Sequence, residues 1–174
     1  VIRDMVMMVI ESSLLSIVIS LVLIGGIISL FFKRFLWGVI SIIPLTGAII
    51  LNFGLMGHFG ITFNHVTAIL SSIIIGVGVD FAIHFISQFR SLSKTSNKSN
   101  ISKNVIQDVG YPIMLDAGSN MGFGALLFSA FIPVQYIGGL MVFAMISTSL
   151  GTITLLATST ELLKNRLIQK GKIK

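Results

Sequence analysis

Cysteine is absent from the 174 residues, and only six residues are acidic. The first absence excludes a disulfide framework and a thiolate metal site, and leaves the redox compartment open. Charge of either sign is scarce. Charged residues make up 10% of the chain, against about 25% in soluble domains. Hydrophobic residues make up 54%, and the mean hydropathy is +0.99. An ordinary soluble domain is thereby excluded, and the composition is that of an integral membrane protein. No Ser–His pair has a convincing spacing and no metalloprotease motif occurs, so an enzyme is not expected. The first residue is valine, and no cleavable leader pattern precedes the first apolar run. The expectation is a part of a longer polypeptide.

What the chain does have is long apolar runs. Five of them suffice to cross a hydrocarbon core of about 30 Å, which takes about 20 helical residues. They cover roughly residues 12–32, 35–57, 63–89, 113–132 and 137–160. Pro44 lies inside the second, and Pro133 is expected to break the chain after the fourth. Lipid leaves backbone groups no partner outside the segment, so each run is read as a helix. The expected fold class is therefore all-α, a polytopic helix bundle forming one transmembrane domain over residues 1–174. A loop at 91–112 and a basic tail at 161–174 complete it. Residues 91–103, rich in Ser, Asn and Lys, read as flexible. The helical spacing of Ile101, Val105, Ile106 and Val109 suggests a short surface helix.

Positive charge sets an orientation. With the first, third and fifth spans running from outside to inside, the inner segments hold Lys33, Arg34, Arg90, Lys94, Lys98, Lys103, Lys164, Arg166, Lys170, Lys172 and Lys174. Only Arg3 of the twelve basic residues then lies outside. The N-terminus is expected outside and the C-terminus inside. The net charge of +6 is thus topogenic and suited to anionic headgroups, and no nucleic-acid partner is expected.

Few polar residues interrupt the spans, and they are ordered. Ser72, Gly76, Asp80, His84 and Gln88 recur every fourth position, a slowly drifting stripe on one side of a helix. An ionised aspartate at the middle of a membrane helix costs about 2.5–3.5 kcal/mol on insertion scales, so such a residue is a functional candidate by default. In the fourth span Asp116, Asn120 and Gly124 repeat the spacing. Counting 1.5 Å per residue from Arg90 and from Pro112 puts Asp80 about level with Asn120 to Gly124, and His84 between Asp116 and Asn120. The third and fourth spans are accordingly expected to pack together, with Asp80, His84, Asp116 and Asn120 sharing one polar patch for proton relay. The plainer alternatives are a permanently protonated Asp80, a His84 capped by a backbone carbonyl, and an Asp116 solvated near the surface. Gly76, Gly78, Gly118 and Gly122 are candidate helix-packing positions. The spacing of His84, Asp80 and Asp116 is weak evidence for a metal, and neither metal nor cofactor is expected.

The run Gly76-Val77-Gly78-Val79-Asp80-Phe81-Ala82-Ile83-His84 resembles the signature on the fourth helix of a repeat in the RND superfamily. The branch it is most similar to is the MMPL-type exporters, related to Patched, Dispatched and sterol-sensing-domain proteins. Residues 110–113 and 122–129 resemble the family as well, so the likeness covers nearly the whole chain. The resemblance implies the last five helices of one repeat in a proton-driven exporter of hydrophobic or amphiphilic molecules, often lipids. It places the chain in the cell (inner) membrane as a multi-pass protein. Implied partners are membrane lipids, a lipid-like substrate, and the N-terminal half or a partner subunit of the same transporter. The family's intramembrane acid corresponds to Asp80. Its frequent tyrosine at the next position is Phe81 here, which removes a hydrogen-bond donor. Asp116 stands where the family more often has a threonine-like residue and offers a second protonatable group. The alternative function is a sterol-sensing-like lipid-binding module without transport.

Overall fold

The computed structural model describes residues 2–63, 65–95 and 101–163, and among them there are helices and short connections but no strand. In chain order the elements are α1 (Ile2–Phe31), α2 (Phe35–His58), α3 (His65–Thr95), α4 (Ile101–Asn120), a 3₁₀ helix (Met121–Phe128), α5 (Ile132–Gly151), a π-helical turn (Thr152–Leu156) and α6 (Ala157–Leu162). Four stretches within them are long and apolar enough to cross a membrane: Ile10–Phe31, Phe35–His58, Thr67–Ser93 and Ile132–Leu162. The protein is an all-α, multi-pass membrane chain.

The segment expected as the fourth span is built differently from the other four. Its α-helix ends at Asn120 and continues as a 3₁₀ helix to Phe128. A 3₁₀ helix rises about 2.0 Å per residue rather than 1.5 Å, so residues 113–128 still extend about 28 Å. Two glycines, Gly122 and Gly124, lie within this stretch and weaken its preference for the α form. Pro133 begins a helix rather than ending one. It occupies the first turn of α5, where the missing N–H has no intrahelical acceptor to serve.

The expected loop at 91–112 is largely helical. α3 runs on to Thr95 because Leu92 still packs against the core. α4 starts at Ile101, and Ile101 and Val105 are fully buried rather than resting on a surface. Residues 96–100 of that loop and 164–174 of the basic tail lie outside the described residues.

Short connections make the helices alternate in direction, so the bundle has two ends. One carries Lys33, Arg34 and Arg90. There Lys33 adopts a left-handed conformation (φ 54°) that lets the Lys33 and Arg34 amides close on the carbonyls of Leu30 and Ser29. The Arg90 guanidinium sits 5.3 Å from the ring of Phe32, and Trp37 packs edge-on to Phe89. The opposite end turns at Gly60 (φ 63°), with Phe53 against Phe63. Between the ends the core is formed by Ile28, Ile40, Leu45, Ile74, Phe81, Phe85, Ile113 and Met145. α1 forms the flank, with Leu15, Val22, Leu23, Ile27 and Leu30 exposed as a lipid-facing helix requires.

Candidate functional site

α3 has two unlike sides. Leu70, Ile74, Ile75, Phe81, Ala82, Phe85, Ile86 and Phe89 are buried in the bundle. Ser72, Gly76, Asp80 and His84 are exposed, and Gln88 is half-buried. The polar stripe therefore points out of this unit. A step of about 100° per residue explains how Asp80 can face outward while Phe81 beside it is fully buried. No side-chain hydrogen bond ties Asp80 or His84 to another of the described residues.

α4 packs beside α3. The two run antiparallel, because five linking residues reach at most about 18 Å whereas α3 is about 46 Å long. One hydrogen bond fixes their register: the Gln88 amide donates through Nε2 to Oδ2 of Asp108 at 2.9 Å. Gln88 is the last member of the α3 stripe. Asp108 begins a matching stripe on α4, with Asp116 and Asn120 eight and twelve residues further on. Counting both helices away from this bond brings Asp80 level with Asp116, and Gly76 level with Asn120, about 12 and 18 Å beyond it. This register is about six residues, or about 9 Å, away from that estimated by counting from Arg90 and Pro112. The Asn120 amide donates to the Asp116 backbone carbonyl at 3.0 Å and to its carboxylate at 3.3 Å. Asp116 is exposed and Asn120 half-buried, where α4 gives way to the 3₁₀ helix.

Glycines mark where helices close on one another. A Cβ at Gly78 would lie 2.8 Å from Thr148 of α5 and 3.3 Å from Leu45 of α2. At Gly76, Gly118 and Gly122 nothing lies within 4 Å of that position. The tightest approach joins α1 and α2, where a Cβ at Gly38 would meet the Ser29 hydroxyl and the Gly25 carbonyl. Gly138 of α5 receives the 3₁₀ backbone at Leu126 and Leu127, and Gly124 meets Val142. Two polar bonds also join distant segments: Asn52 Nδ2 donates to the Leu140 carbonyl at 3.2 Å, and the Ser102 hydroxyl donates to Glu161 at 2.6 Å. A lone buried Asn in an apolar span was the available signal for the first.

A groove of about 360 Å³ lies between α1 and α3, lined by Met8, Ser12, Ser13, Ser16, Ile17 and Ser72 among others. Ser72 belongs both to this groove and to the stripe that carries Asp80, two turns further along α3. Among the described residues no three His, Cys, Asp or Glu side chains are grouped to hold a metal ion.

A family model described as the sterol-sensing domain of SREBP cleavage-activation matches residues 30–160, three quarters of the chain. A search of curated proteins finds no match.

Proposed function

The chain belongs to the sterol-sensing domain family, and from that membership we propose that it is the membrane half of a proton-driven exporter of hydrophobic or lipid-like molecules. The observation that carries the reading is the position of Asp80, on a face of a long apolar helix that its own unit leaves uncovered. A bare carboxylate against lipid is costly, so a second helical unit is needed to shield it. Transporters built from two parallel repeats supply such a unit.

In this mechanism Asp80 is the group that carries the proton as the facing unit moves over it. His84 lies one turn nearer the basic end and passes the proton on. Asp116, level with Asp80 and tied to Asn120, offers a second acceptor on the neighbouring helix. The basic end faces the cytoplasm in this proposal, and the chain sits in the cell membrane with its other half as partner. Substrate enters from lipid, and the groove reaching Ser72 joins a lipid-facing cleft to the acid-bearing stripe.

The test is Asp80→Asn in the complete protein. Export that depends on the proton gradient is expected to fall to background while membrane insertion and amount stay normal. Undiminished export by that variant would end the proposal. A second reading is supported by the family match and the serine-lined groove: a lipid-sensing module that does not transport. It expects lipid binding indifferent to both the gradient and Asp80→Asn.

A further inference from the structure

The turn between α1 and α2 reads Phe31-Phe32-Lys33-Arg34-Phe35, and its side chains part in two directions. Phe32 is buried, Phe31, Lys33 and Phe35 are exposed, and Arg34 is half-buried. The backbone that carries them is held by the bonds from the Lys33 and Arg34 amides to Leu30 and Ser29. Arg90 of α3 reaches the same place, with its guanidinium 5.3 Å from the centre of the Phe32 ring. Trp37 backs this contact by packing on both Phe32 and Phe89. Three cations from two separate stretches of chain are thereby brought together at one end of the bundle.

Charges within a Debye length of about 10 Å act as a group, and like charges there repel. Among the described residues nothing offsets the charges of Arg90 and Lys33. The ring beneath Arg90 is apolar, and the half-buried guanidinium donates no hydrogen bond to a described residue. Lys33 forms no ion pair among them. Of the acids at this end, Asp108 is bonded to Gln88 and Glu161 to Ser102. Gln88 lies about 200° around α3 from Arg90, so Asp108 is on the far side of that helix. The unused donors form a fork that matches phosphate oxygens.

The neighbours decide which anion fits. Leu30, Phe31 and Phe35 beside the cations are 80%, 73% and 77% exposed, an apolar surface suited to acyl chains. They stand at the ends of two apolar spans, where headgroups lie, and basic pockets between transmembrane helices suit anionic heads. A free phosphate shares the headgroup chemistry but has nothing to lay on these three side chains. A zwitterionic head would add a fourth cation to three. We infer that Lys33, Arg34 and Arg90 hold the phosphate of an anionic phospholipid, with its chains along Leu30, Phe31 and Phe35. Because the site joins the α1–α2 turn to α3, its occupation fastens the helix that carries Asp80 to its neighbours. It is separate from the polar stripe and from the groove between α1 and α3, and it depends on neither reading of the function.

The complete protein in phosphatidylcholine vesicles is irradiated with phosphatidylglycerol or phosphatidylcholine carrying a diazirine in the acyl chain, and the labelled residues are mapped. Phosphatidylglycerol is expected to label Leu30, Phe31 and Phe35 several-fold more than phosphatidylcholine does. Leu15 and Val22, on the lipid-facing flank of α1, should show no such preference. Arg90→Gln and Lys33→Asn should each lower phosphatidylglycerol labelling at the turn about fivefold, the effect of one basic residue near an anionic surface. Asparagine accepts the left-handed conformation at position 33, so that variant removes the charge and keeps the turn. It decides alone should Arg90→Gln fold poorly. Equal labelling by the two lipids, or a preference that survives Lys33→Asn, overturns the inference. Suppression of the labelling by excess inorganic phosphate assigns the cations to a free anion and overturns the lipid.

Discussion

Side chains one residue apart on α3 have opposite surroundings, and a small residue is required only where a neighbouring helix is close. Gly38 is such a place, because a Cβ there would meet the Ser29 hydroxyl and the Gly25 carbonyl. Gly38→Ala is expected to destabilise by about 1–3 kcal/mol through overpacking. Gly76→Ala has open space around it and should be neutral or stabilising by up to about 1 kcal/mol through helix propensity. Thermal unfolding in detergent measures both, and equal shifts for the two would contradict the packing. The sequence showed Asp80 as an acid inside an apolar run and showed the stripe it belongs to. It could not show which glycines meet a partner. A spacing of four puts residues on one face without revealing what lies opposite, and Gly25 and Gly38 therefore passed unnoticed beside Gly78.

Between elements, the bond from Gln88 to Asp108 is a polar link that sets α4 against α3. A double-mutant cycle of Gln88→Ala and Asp108→Ala should give a coupling of about 0.6 kcal/mol, and no more than about 2. Zero coupling in detergent-solubilised protein would mean that the register is held by apolar packing alone. Apolar runs located α2 to within a residue, because its ends coincide with changes in hydropathy. They failed where helix and apolarity part company. The spacing of Ile101, Val105, Ile106 and Val109 suggested a short surface helix, but the polar Ser102, Lys103 and Asn104 hid that its Ile101 and Val105 are fully buried. Gly122 and Gly124 were the local trace of the change from α to 3₁₀ at Met121, whereas the seating of Leu126 and Leu127 on Gly138 was not legible from local propensity.

For the whole molecule, the proposed orientation follows from the basic residues gathered at one end. With no native cysteine, single cysteines report on it directly. A membrane-impermeant maleimide applied to intact cells should label Thr62→Cys, and should leave Lys33→Cys and Lys103→Cys untouched until the cells are opened. The reverse pattern would invert the topology. Composition alone was enough for an all-helical membrane chain, since lipid leaves few other solutions. The family match extends that to a sterol-sensing domain.

The fastening of α4 has a mechanical consequence. Its polar bonds to α3 and α6, through Asp108 and Ser102, both lie within its first eight residues. Its far end continues into a 3₁₀ helix seated on α5 at Gly138. The segment is thus a lever with its fulcrum near Gln88 and its load arm attached to α5. Asp116 lies on that arm about 12 Å from the fulcrum, level with Asp80 along the bundle. A tilt of about 10° in that arm, driven by α5, would move Asp116 by about 2 Å at that arm length. Small rotations of α5 would thereby be carried to Asp116 as shifts along the face of α3.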